Sequence, residues 1–420
     1  MRPPLALLLT LLGCAPTTGS LPVGDRPNPP EPVEDSSPPL LTEEEIADQE
    51  IDDSWIFSDE RILEVEISLT AGAANALGRE PREDVSAEIV IDGLELEPVG
   101  LRLAGKLGSY RDLSGKPKFR IDFNKFSEGQ RFFGLESLAL NNGVQDCSFL
   151  KEPAAYRIYR DAGAPGSRTG FAHVTVNGAD YGLYLIVEYP DDRFLRRNFA
   201  EPDGNLYDGK YVLYDDWSYT LLDFYDDLVP LYALEEGEDV QNADVQAIAD
   251  ALDEHAGTPE FYDALGELVD WPSFHRHIAL EQLVGHNDGY ALNINNNRLY
   301  FDPSQEGRMT MLTWDLDNSF LIDYEWGFSW SSPGARLVYW CWQDSVCKEA
   351  QRQSVISVLD ATDIPALLDW YDALAELTLA AAESDPRKEF DNNYLASCRI
   401  DARQRINRSK RLVKGQWGLE

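Results

Sequence analysis

The chain has 420 residues, with 74 Asp and Glu against 36 Lys and Arg, and its formal net charge is −38 at pH 7. This charge argues against nucleic acid and against an anionic membrane surface as binding partners. It is also typical of a solubility adaptation, so the charge by itself identifies no substrate.

The first residues have the pattern of a bacterial lipoprotein signal. One positive charge at Arg2 is followed by an apolar run over residues 5–12, which is too short to span a bilayer. Small Gly13 directly precedes Cys14, which predicts a signal peptide of residues 1–13 and a lipid on Cys14. Ordinary secretion with cleavage nearby is the alternative. The predicted location is the bacterial cell envelope, periplasmic or at the cell surface, and the lipid is the predicted membrane contact.

The next segment, residues 14–55, is rich in Pro, Glu, Asp, Ser and Thr and has almost no aromatic residues. This composition predicts a disordered acidic tether, because it buries too little apolar surface to offset the entropy of ordering. Residues 56–420 are long enough for one large domain or for two intimately packed ones.

Four cysteines remain besides Cys14, and an even number in an exported chain favours disulfides, with three connectivities to choose from. The short spacing between Cys341 and Cys347 favours a local loop, which leaves Cys147 for Cys398. The spacing fits no zinc motif well and the chain has only five His, so metal–thiolate chemistry is not expected.

Short alternating segments early in the domain predict the strands of an antiparallel sheet. They are residues 63–67, 87–91, 99–103 and 119–123. A helix is expected over residues 149–162. A hairpin follows, because Asn177-Gly178 between alternating segments is a strong turn signal.

The later part of the chain is predicted to be mainly helical. Helices are expected over residues 243–285 and 350–415, with a second hairpin formed by residues 299–301 and 309–314. An order of sheet first and helices later predicts the α+β class.

Two polar clusters follow apolar elements. Asp288 and Asn293, five residues apart at the end of a predicted helix, are placed to accept a proton and to bind a cation. Asp315 and Asp317 follow a predicted strand on one face, an arrangement that requires a neutralising cation or basic side chain. Such oxygen ligands suit magnesium, manganese or calcium. The alternative is that these acidic residues only form turns.

A third group is basic and lies in the predicted sheet. Its members could hold phosphates through charge and backbone N–H groups: Arg102, Gly105, Lys106, Ser109, Lys116, Lys118 and Arg120. Alternation on an exposed strand face is the structural alternative. The three groups together have the division of labour used in phosphoryl transfer.

The sequence resembles the spore coat protein H (CotH) kinase family, which comprises atypical relatives of protein kinases. The resemblance runs in order over residues 60–325. Its motifs are VGLRLAGK at 99–106, KPKFRIDF at 116–123, FFGLESL at 132–138 with Asn141-Asn142, LKE at 150–152, VNGADYGLY at 176–184 with Val187-Glu188, GNLY at 204–207 and WDLD at 314–317.

This resemblance implies a kinase-like fold with an N-terminal β lobe at about residues 60–190 and a largely helical C-terminal lobe at about 191–420. It implies Asp288 as the catalytic base. Asn293 and Asp315 would be the ligands of Mg²⁺ or Mn²⁺, with Asp317 as a further acidic candidate.

The family also implies how ATP binds. Arg102 and either Lys116 or Lys118 would contact the phosphates, with Glu152 as an ion-pair partner for one of them. Glu188 would lie near the adenine. Three residues depart from the family pattern, namely Lys106, Pro117 and Leu321.

The resulting prediction is an exported, monomeric, metal-dependent protein kinase that transfers the γ-phosphoryl group of ATP to Ser or Thr of another exported protein. Nucleic acid is not an expected partner. One alternative is a non-catalytic surface or assembly protein that keeps the fold as a binding platform. Another is a structural calcium site at Asp315 and Asp317.

Overall fold

The computed structural model describes residues 51–214, 216–239, 241–322 and 327–419. The predicted signal peptide, Cys14 and the tether as far as residue 50 lie outside these residues. The strands are β1 (Ile62–Ser68), β2 (Val85–Ile91), β3 (Leu94–Glu95), β4 (Val99–Ala104), β5 (Lys118–Asp122), β6 (Ser137–Asn141), β7 (Thr169–Val176), β8 (Ala179–Glu188), β9 (Asn205–Asp208), β10 (Val212–Leu213), β11 (Tyr219–Thr220), β12 (Ala233–Glu236), β13 (Asn297–Asp302) and β14 (Arg308–Thr313). The helices are α1 (Ala71–Arg79), α2 (Lys151–Asp161), α3 (Asp192–Asn198), α4 (Ala243–His255), α5 (Phe261–Gly266), α6 (Trp271–Val284), α7 (Tyr290–Asn293), α8 (Arg336–Gln343), α9 (Ser345–Ala361), α10 (Ile364–Leu377), α11 (Leu379–Ser384) and α12 (Asn392–Trp417).

The first eight strands form a sheet that closes on itself. Their order is β1-β7-β8-β6-β5-β4-β2-β3, and β1 pairs with β2 as well as with β7. The predicted strands are confirmed, and so is the hairpin at Asn177-Gly178, where both residues have positive φ. The four strands predicted as antiparallel, β1, β2, β4 and β5, pair antiparallel with one another, and the further pair of β1 with β7 is parallel.

Side-chain alternation explains how the closed sheet is filled. In β1, Leu63, Val65 and Ile67 are each 1% exposed and point inward, while the glutamates between them face solvent. Burial of such an aliphatic side chain contributes roughly 1.5–3 kcal/mol. The same alternation in β2, β4 and β5 makes a continuous apolar interior.

A second sheet and a group of helices complete the fold. The second sheet has the order β12-β9-β13-β14. Helix α6 lies at the centre of the helices, since β14, α2, α9 and α12 all pack against it. The α+β class is therefore confirmed. None of the helices among the described residues is long and apolar enough to cross a membrane.

Two disulfides join the cysteines in the predicted pairs. Cys341 and Cys347 close the corner between α8 and α9. Cys147, in the loop before α2, is bonded to Cys398 in α12. The second bond ties the start of α2 to the C-terminal helix.

The folded region begins earlier than residue 56, so the predicted end of the tether was wrong. Ile51 is 8% exposed and Asp53 is 4% exposed. The Asp53 carboxylate lies 2.6 Å from Arg168 Nη1 and 3.2 Å from Arg193 Nε. A segment of low apolar content is ordered here by ion pairing to residues more than 100 positions away, which composition does not reveal.

We expect Asp53→Asn to lower the free energy of unfolding by roughly 2–3 kcal/mol, less than for a fully buried pair because the arginines keep some exposure. Burial alone would raise the pKa of the Asp53 carboxyl, but Arg168 and Arg193 outweigh it and hold the pKa below its usual value. Its contribution is therefore complete above about pH 4 and is lost at lower pH. Urea unfolding at pH 7 and pH 3 should show the difference shrinking at pH 3.

The matched control is Glu66→Gln on the exposed face of β1. It should change the free energy of unfolding by less than about 0.5 kcal/mol. Equal effects of the two substitutions at pH 7 would contradict the ion-pair explanation.

Candidate functional site

A cleft between the closed sheet and the second sheet collects polar residues from both. Its volume is about 200 Å³. The charged residues that line it are Arg82, Arg102, Lys106, Lys118, Arg120, Lys210 and Arg298 on the basic side and Asp208, Asp288 and Asp315 on the acidic side. A surplus of basic side chains in a chain with a net charge of −38 makes the cleft suited to an anionic ligand.

The central contact of the cleft is an ion pair that joins its two walls. Lys118 begins β5, and its Nζ donates to Asp315 Oδ1 at 2.8 Å and to Asp317 Oδ2 at 2.9 Å. Both aspartates follow β14, where Asp315 has a positive φ of 49°. Burial by itself would lower the pKa of the Lys118 ammonium, but the two carboxylates raise it above its usual value. Lys118 is therefore firmly protonated.

A third carboxylate lies beside this ion pair. Glu152 of α2 is 3% exposed and accepts two bonds from Asn141 Nδ2, at 2.8 and 2.9 Å. Burial, followed by the charges of Asp317 and Asp315, raises the pKa of the Glu152 carboxyl, and Lys118 offsets this only in part. The predicted ion pair of Glu152 with a lysine is replaced by bonds to Asn141, although Lys118 is an electrostatic neighbour.

Negative charge is thus in excess around one ammonium group. Burial, with Asp315 as the next cause, also raises the pKa of the Asp317 carboxyl. Asp317 is 3% exposed, whereas the Asp315 side chain keeps 26% of its surface accessible and lines the cleft. Asp315 is the member of the group that a cation can reach.

Asp288 is held by amide side chains from a short Asn-rich segment. It lies between α6 and α7, and its carboxylate accepts bonds from Asn293 Nδ2 at 2.6 Å and Asn296 Nδ2 at 3.0 Å. A third, longer contact of 3.4 Å comes from Asn295 Nδ2. Burial raises the pKa of the Asp288 carboxyl, and these donors only partly offset the effect. The result is a fixed carboxylate of increased basicity at the cleft wall.

The loop after β4 needs glycine where it turns toward the cleft. Gly105 has a φ of +83°, and a Cβ there would lie 2.9 Å from Ser109 Oγ. The backbone N–H of Lys106 donates to Ser109 Oγ at 3.3 Å, and that of Leu107 donates to Tyr211 Oη at 3.2 Å. Burial, helped by the nearby charge of Lys210, lowers the pKa of the Lys106 ammonium to about 8.

The inner wall of the cleft is built around Tyr189, which follows β8. Its hydroxyl accepts a bond from Arg298 Nη2 at 2.7 Å and donates to Glu235 Oε2 at 2.9 Å. The guanidinium of Arg120 lies over its ring, 3.1 Å from the centroid. This aromatic ring between two cations forms a rigid wall close to β5.

The structure separates two of the predicted nucleotide contacts from the cleft. Lys116 is 1% exposed and is bonded to Asp385 and to the carbonyl of Leu183, at 2.6 Å for the latter. Glu188 is fully buried and pairs with Arg168 and Arg197. Lys116 precedes Pro117 and lies outside β5, so of the two alternative lysines only Lys118 lines the cleft. Glu188, held by its two arginines, does not line the cleft either.

The other predicted residues are brought together. Four of them line the cleft: Arg102, Lys118, Asp288 and Asp315. Two others lie behind the cleft wall, where Asn293 is bonded to Asp288 and Asp317 is bonded to Lys118. Arg102 is paired with Asp84 at 3.1 Å.

Sequence reasoning missed several residues of the cleft. Asn295 and Asn296 line it, although only Asn293 was predicted as an amide ligand. The closely spaced asparagines at 293 and 295–297 were visible in the sequence and could have indicated that more than one amide lies at the site. Arg82, Asp208, Lys210 and Arg298 had no such signal, because they reach the cleft from elements distant in sequence.

These oxygen donors fit a hard divalent cation. Asp315 supplies an accessible carboxylate, and the asparagines near Asp288 supply amide oxygens, a donor set typical of Mg²⁺ or Mn²⁺ bound with a phosphate ligand. Carboxylates outnumber ammonium groups near Asp315, and this excess of negative charge favours the binding of such a cation.

Comparison with known proteins gives a family match. The sequence matches the family described as "CotH kinase protein" over residues 105–357, more than half of the chain. No curated protein matches the sequence. Among solved structures, the chain is similar to one in a Shewanella oneidensis MR-1 complex of the toxin–antitoxin proteins HipA and HipB with operator DNA. The identity is 14% and the TM-score is 0.34, over 76% of this chain and 68% of that chain. Similarity at this level supports no conclusion about this chain.

The raised pKa values of Asp317 and Glu152 predict a pH-dependent response to metal. A carboxyl whose pKa is raised by folding stabilises the fold below its unfolded pKa of about 4 and loses that contribution as pH rises. Mg²⁺ or Mn²⁺ should therefore raise the melting temperature more at pH 8 than at pH 5. Differential scanning fluorimetry checks this, and each 1 kcal/mol gained corresponds to about 2–4 °C.

The matched variant is Asp315→Asn, which removes one charge from the group. It should reduce the metal-induced shift at pH 8 and flatten its pH dependence. A shift of the same size at both pH values, or one unchanged in Asp315→Asn, would contradict the assignment of Asp315 as a ligand.

Proposed function

The chain belongs to the CotH kinase protein family, and we propose that it is a metal-dependent kinase that transfers the γ-phosphoryl group of ATP to a Ser or Thr hydroxyl of another protein. The observation that carries this proposal is the cleft itself. It brings a fixed carboxylate, Asp288, within one basic cavity with Lys118 and Asp315. These are the parts that phosphoryl transfer requires.

Asp288 is the proposed general base. The acceptor hydroxyl attacks the γ-phosphorus, the bond from that phosphorus to the β–γ bridging oxygen breaks, and ADP leaves with the bond's electron pair. Asp288 takes the hydroxyl proton. Its raised pKa favours this role, because a more basic carboxylate accepts a proton more readily.

Asp315 is the proposed metal ligand, and the side-chain oxygens of Asn295 and Asn296, which also line the cleft, are the amide candidates. A bound Mg²⁺ or Mn²⁺ neutralises phosphate charge. Lys118 keeps Asp315 in place before the nucleotide arrives, and its second partner, Asp317, retains the ammonium when phosphate oxygens compete for it.

The phosphates are proposed to lie against the loop after β4. Lys106 and Arg102 face the cleft there, and both side chains keep partial exposure. Multiple cations with fixed positions hold a polyphosphate better than one flexible lysine does. Lys116 has no part in this contact, since its ammonium is bonded to Asp385.

The protein acceptor is proposed to approach through a second cavity of about 670 Å³ that shares Arg102, Lys106 and Tyr211 with the cleft. Its outer rim carries exposed aromatic side chains around β10 and β11, among them Trp217, which is 67% exposed. Exposed aromatic groups beside a polar cleft are typical of sites that bind a polypeptide.

Export with a lipid on Cys14 also remains part of the proposal, supported by the N-terminal sequence pattern. It places the proposed acceptor among exported proteins. A non-catalytic binding protein is the second candidate, and one observation favours it. The N–H groups of Lys106 and Leu107, which a phosphate would use, are bonded to Ser109 and Tyr211.

The catalytic proposal predicts separate effects on binding and on chemistry. Asp288→Asn should lower phosphoryl transfer at least 100-fold, because the proton acceptor is lost. The stabilisation by ATP with Mn²⁺ should persist, since Asp288 is not a phosphate contact. Transfer from γ-labelled ATP to the chain or to an exported protein fraction, together with melting curves, measures both quantities.

The controls are Asp227→Asn, at an exposed aspartate, and Lys125→Met, at an exposed lysine. Lys118→Met should lose both transfer and nucleotide stabilisation, whereas the two controls should keep both. Stabilisation by ATP without any transfer in the wild type would favour the non-catalytic candidate. Equal stabilisation by Ca²⁺ without nucleotide would favour a structural calcium site.

The acceptor surface can be tested apart from the nucleotide site. Trp217→Ser should raise the KM for a protein acceptor by roughly tenfold, as expected for loss of an exposed aromatic contact worth about 1.4 kcal/mol. The KM for ATP should stay unchanged. Steady-state kinetics with each substrate varied in turn measure both values, and a change confined to the KM for ATP would refute this location.

A further inference from the structure

Three metal-binding side chains converge away from the cleft. His275 on α6, Cys341 on α8 and Cys347 on α9 have their ligand atoms within 4.8 Å of one another. They are 3%, 1% and 0% exposed. Within the described residues this is the only group of three or more His, Cys, Asp or Glu that meets this spacing.

The orientation of His275 is fixed by a neighbouring amide. Its Nδ1 lies 2.9 Å from Gln351 Oε1, and Gln351 Nε2 donates to the His275 carbonyl at 3.1 Å. The second bond determines which end of the amide is the oxygen. Nδ1 must therefore carry the proton, and Nε2 keeps its lone pair. Metal-bound histidines show the same arrangement, in which one ring nitrogen donates its N–H to an oxygen atom and the other ring nitrogen is thereby oriented toward the metal.

The lone pair on His275 Nε2 accepts no hydrogen bond from the described residues. Nε2 is buried and finds no hydrogen-bond partner there. The ring is also held in place by aromatic packing, since it lies nearly parallel to Trp271 at a centroid distance of 5.4 Å. A buried acceptor without a donor costs free energy, so its retention calls for an explanation.

We propose that His275, Cys341 and Cys347 form a redox-gated zinc site. With the disulfide intact, the sulfurs are bonded to each other and the site is closed to metal. With the disulfide reduced, two thiolates and the His275 Nε2 lone pair bind one Zn²⁺.

The chemistry balances with a dithiol as the reductant. The dithiol supplies two electrons and two protons, the bond between the two sulfurs breaks, and the dithiol becomes a disulfide. Zinc then binds the two thiols with release of two protons. Two thiolates cancel the charge of Zn²⁺, which a buried site requires, and thiolate with imidazole is a ligand set that zinc prefers. A small molecule such as water completes the fourth position.

The position of the site gives it a structural consequence. It joins the corner between α8 and α9 to α6, and α6 ends at Val284, just before Asp288. Either the disulfide or the metal would hold this corner. The reduced, metal-free state would leave it without a cross-link.

Zinc binding to the full chain tests the proposal. The oxidised protein and the dithiol-reduced protein are compared by competition with a zinc indicator, after circular dichroism has shown that both are folded. We expect about one Zn²⁺ per reduced chain and none per oxidised chain. Co²⁺ in place of Zn²⁺ should give thiolate-to-metal absorption in the reduced protein.

Variants identify the ligands. Gln351→Leu should weaken zinc binding about 10–100-fold by releasing the orientation of His275, and His275→Ala should weaken it further. The double variant Cys147→Ser/Cys398→Ser should still bind zinc after reduction. His173→Ala, at a histidine remote in sequence and paired with carboxylates, is the control for general loss of histidine.

Two results would overturn the proposal. One is equal zinc binding by the oxidised and reduced chains. The other is wild-type affinity in reduced His275→Ala. The Gln351→Leu comparison keeps the test decisive if His275→Ala prevents folding, because Gln351→Leu keeps all three metal ligands.

Discussion

One buried ammonium group makes the central contact between the two walls of the cleft. Lys118 comes from the closed sheet, and its two carboxylate partners, Asp315 and Asp317, come from the turn after β14. Glu152 adds a third carboxylate from α2. One ammonium group cannot neutralise three carboxylates, so the pKa values of Glu152 and Asp317 are raised by burial and by their neighbours' negative charge, and a cation can take the place of the bound protons. Residues from β5, from α2 and from the turn after β14 meet in this group of charges, and its excess of negative charge favours metal binding.

Local patterns in the sequence predicted most of the fold. Strand β1 of the closed sheet alternates strictly between buried and exposed residues, and Asn177-Gly178 supplies the positive φ values that its hairpin needs. Asp288 and Asp315 were both predicted as site residues, and both line one cleft, because each follows an apolar element that ends there. The strands β9 to β12 gave little periodic signal, since each has only two to four residues and is held by pairing with a neighbouring strand rather than by its own alternation.

Residues whose role depends on distant partners could not be assigned in this way. Lys116 and Lys118 look equivalent in sequence, but one is bonded to Asp385 and the other to Asp315. Glu188 forms ion pairs with two arginines, and the next residue, Tyr189, lines the cleft. In both cases the two residues lie on either side of a strand end, where a shift of one or two positions exchanges a cleft residue for a buried structural one.

The bond between Cys147 and Cys398 spans 251 positions, and this distance affects how the protein must be made. Synthesis runs from the N-terminus, so the thiol of Cys147 exists long before its partner Cys398. Cys341 is also made before Cys398 and is therefore available to Cys147 earlier. The correct local pair, Cys341 with Cys347, is favoured over a bond between Cys147 and Cys341. The entropic part of the free energy of closing a loop of six residues is about 3 kcal/mol smaller than for a loop of nearly 200. Oxidation before the last helix is complete would still favour a wrong bond to Cys147. The yield of native protein should therefore depend on when the oxidant meets the growing chain, and on whether a catalyst of disulfide exchange is present.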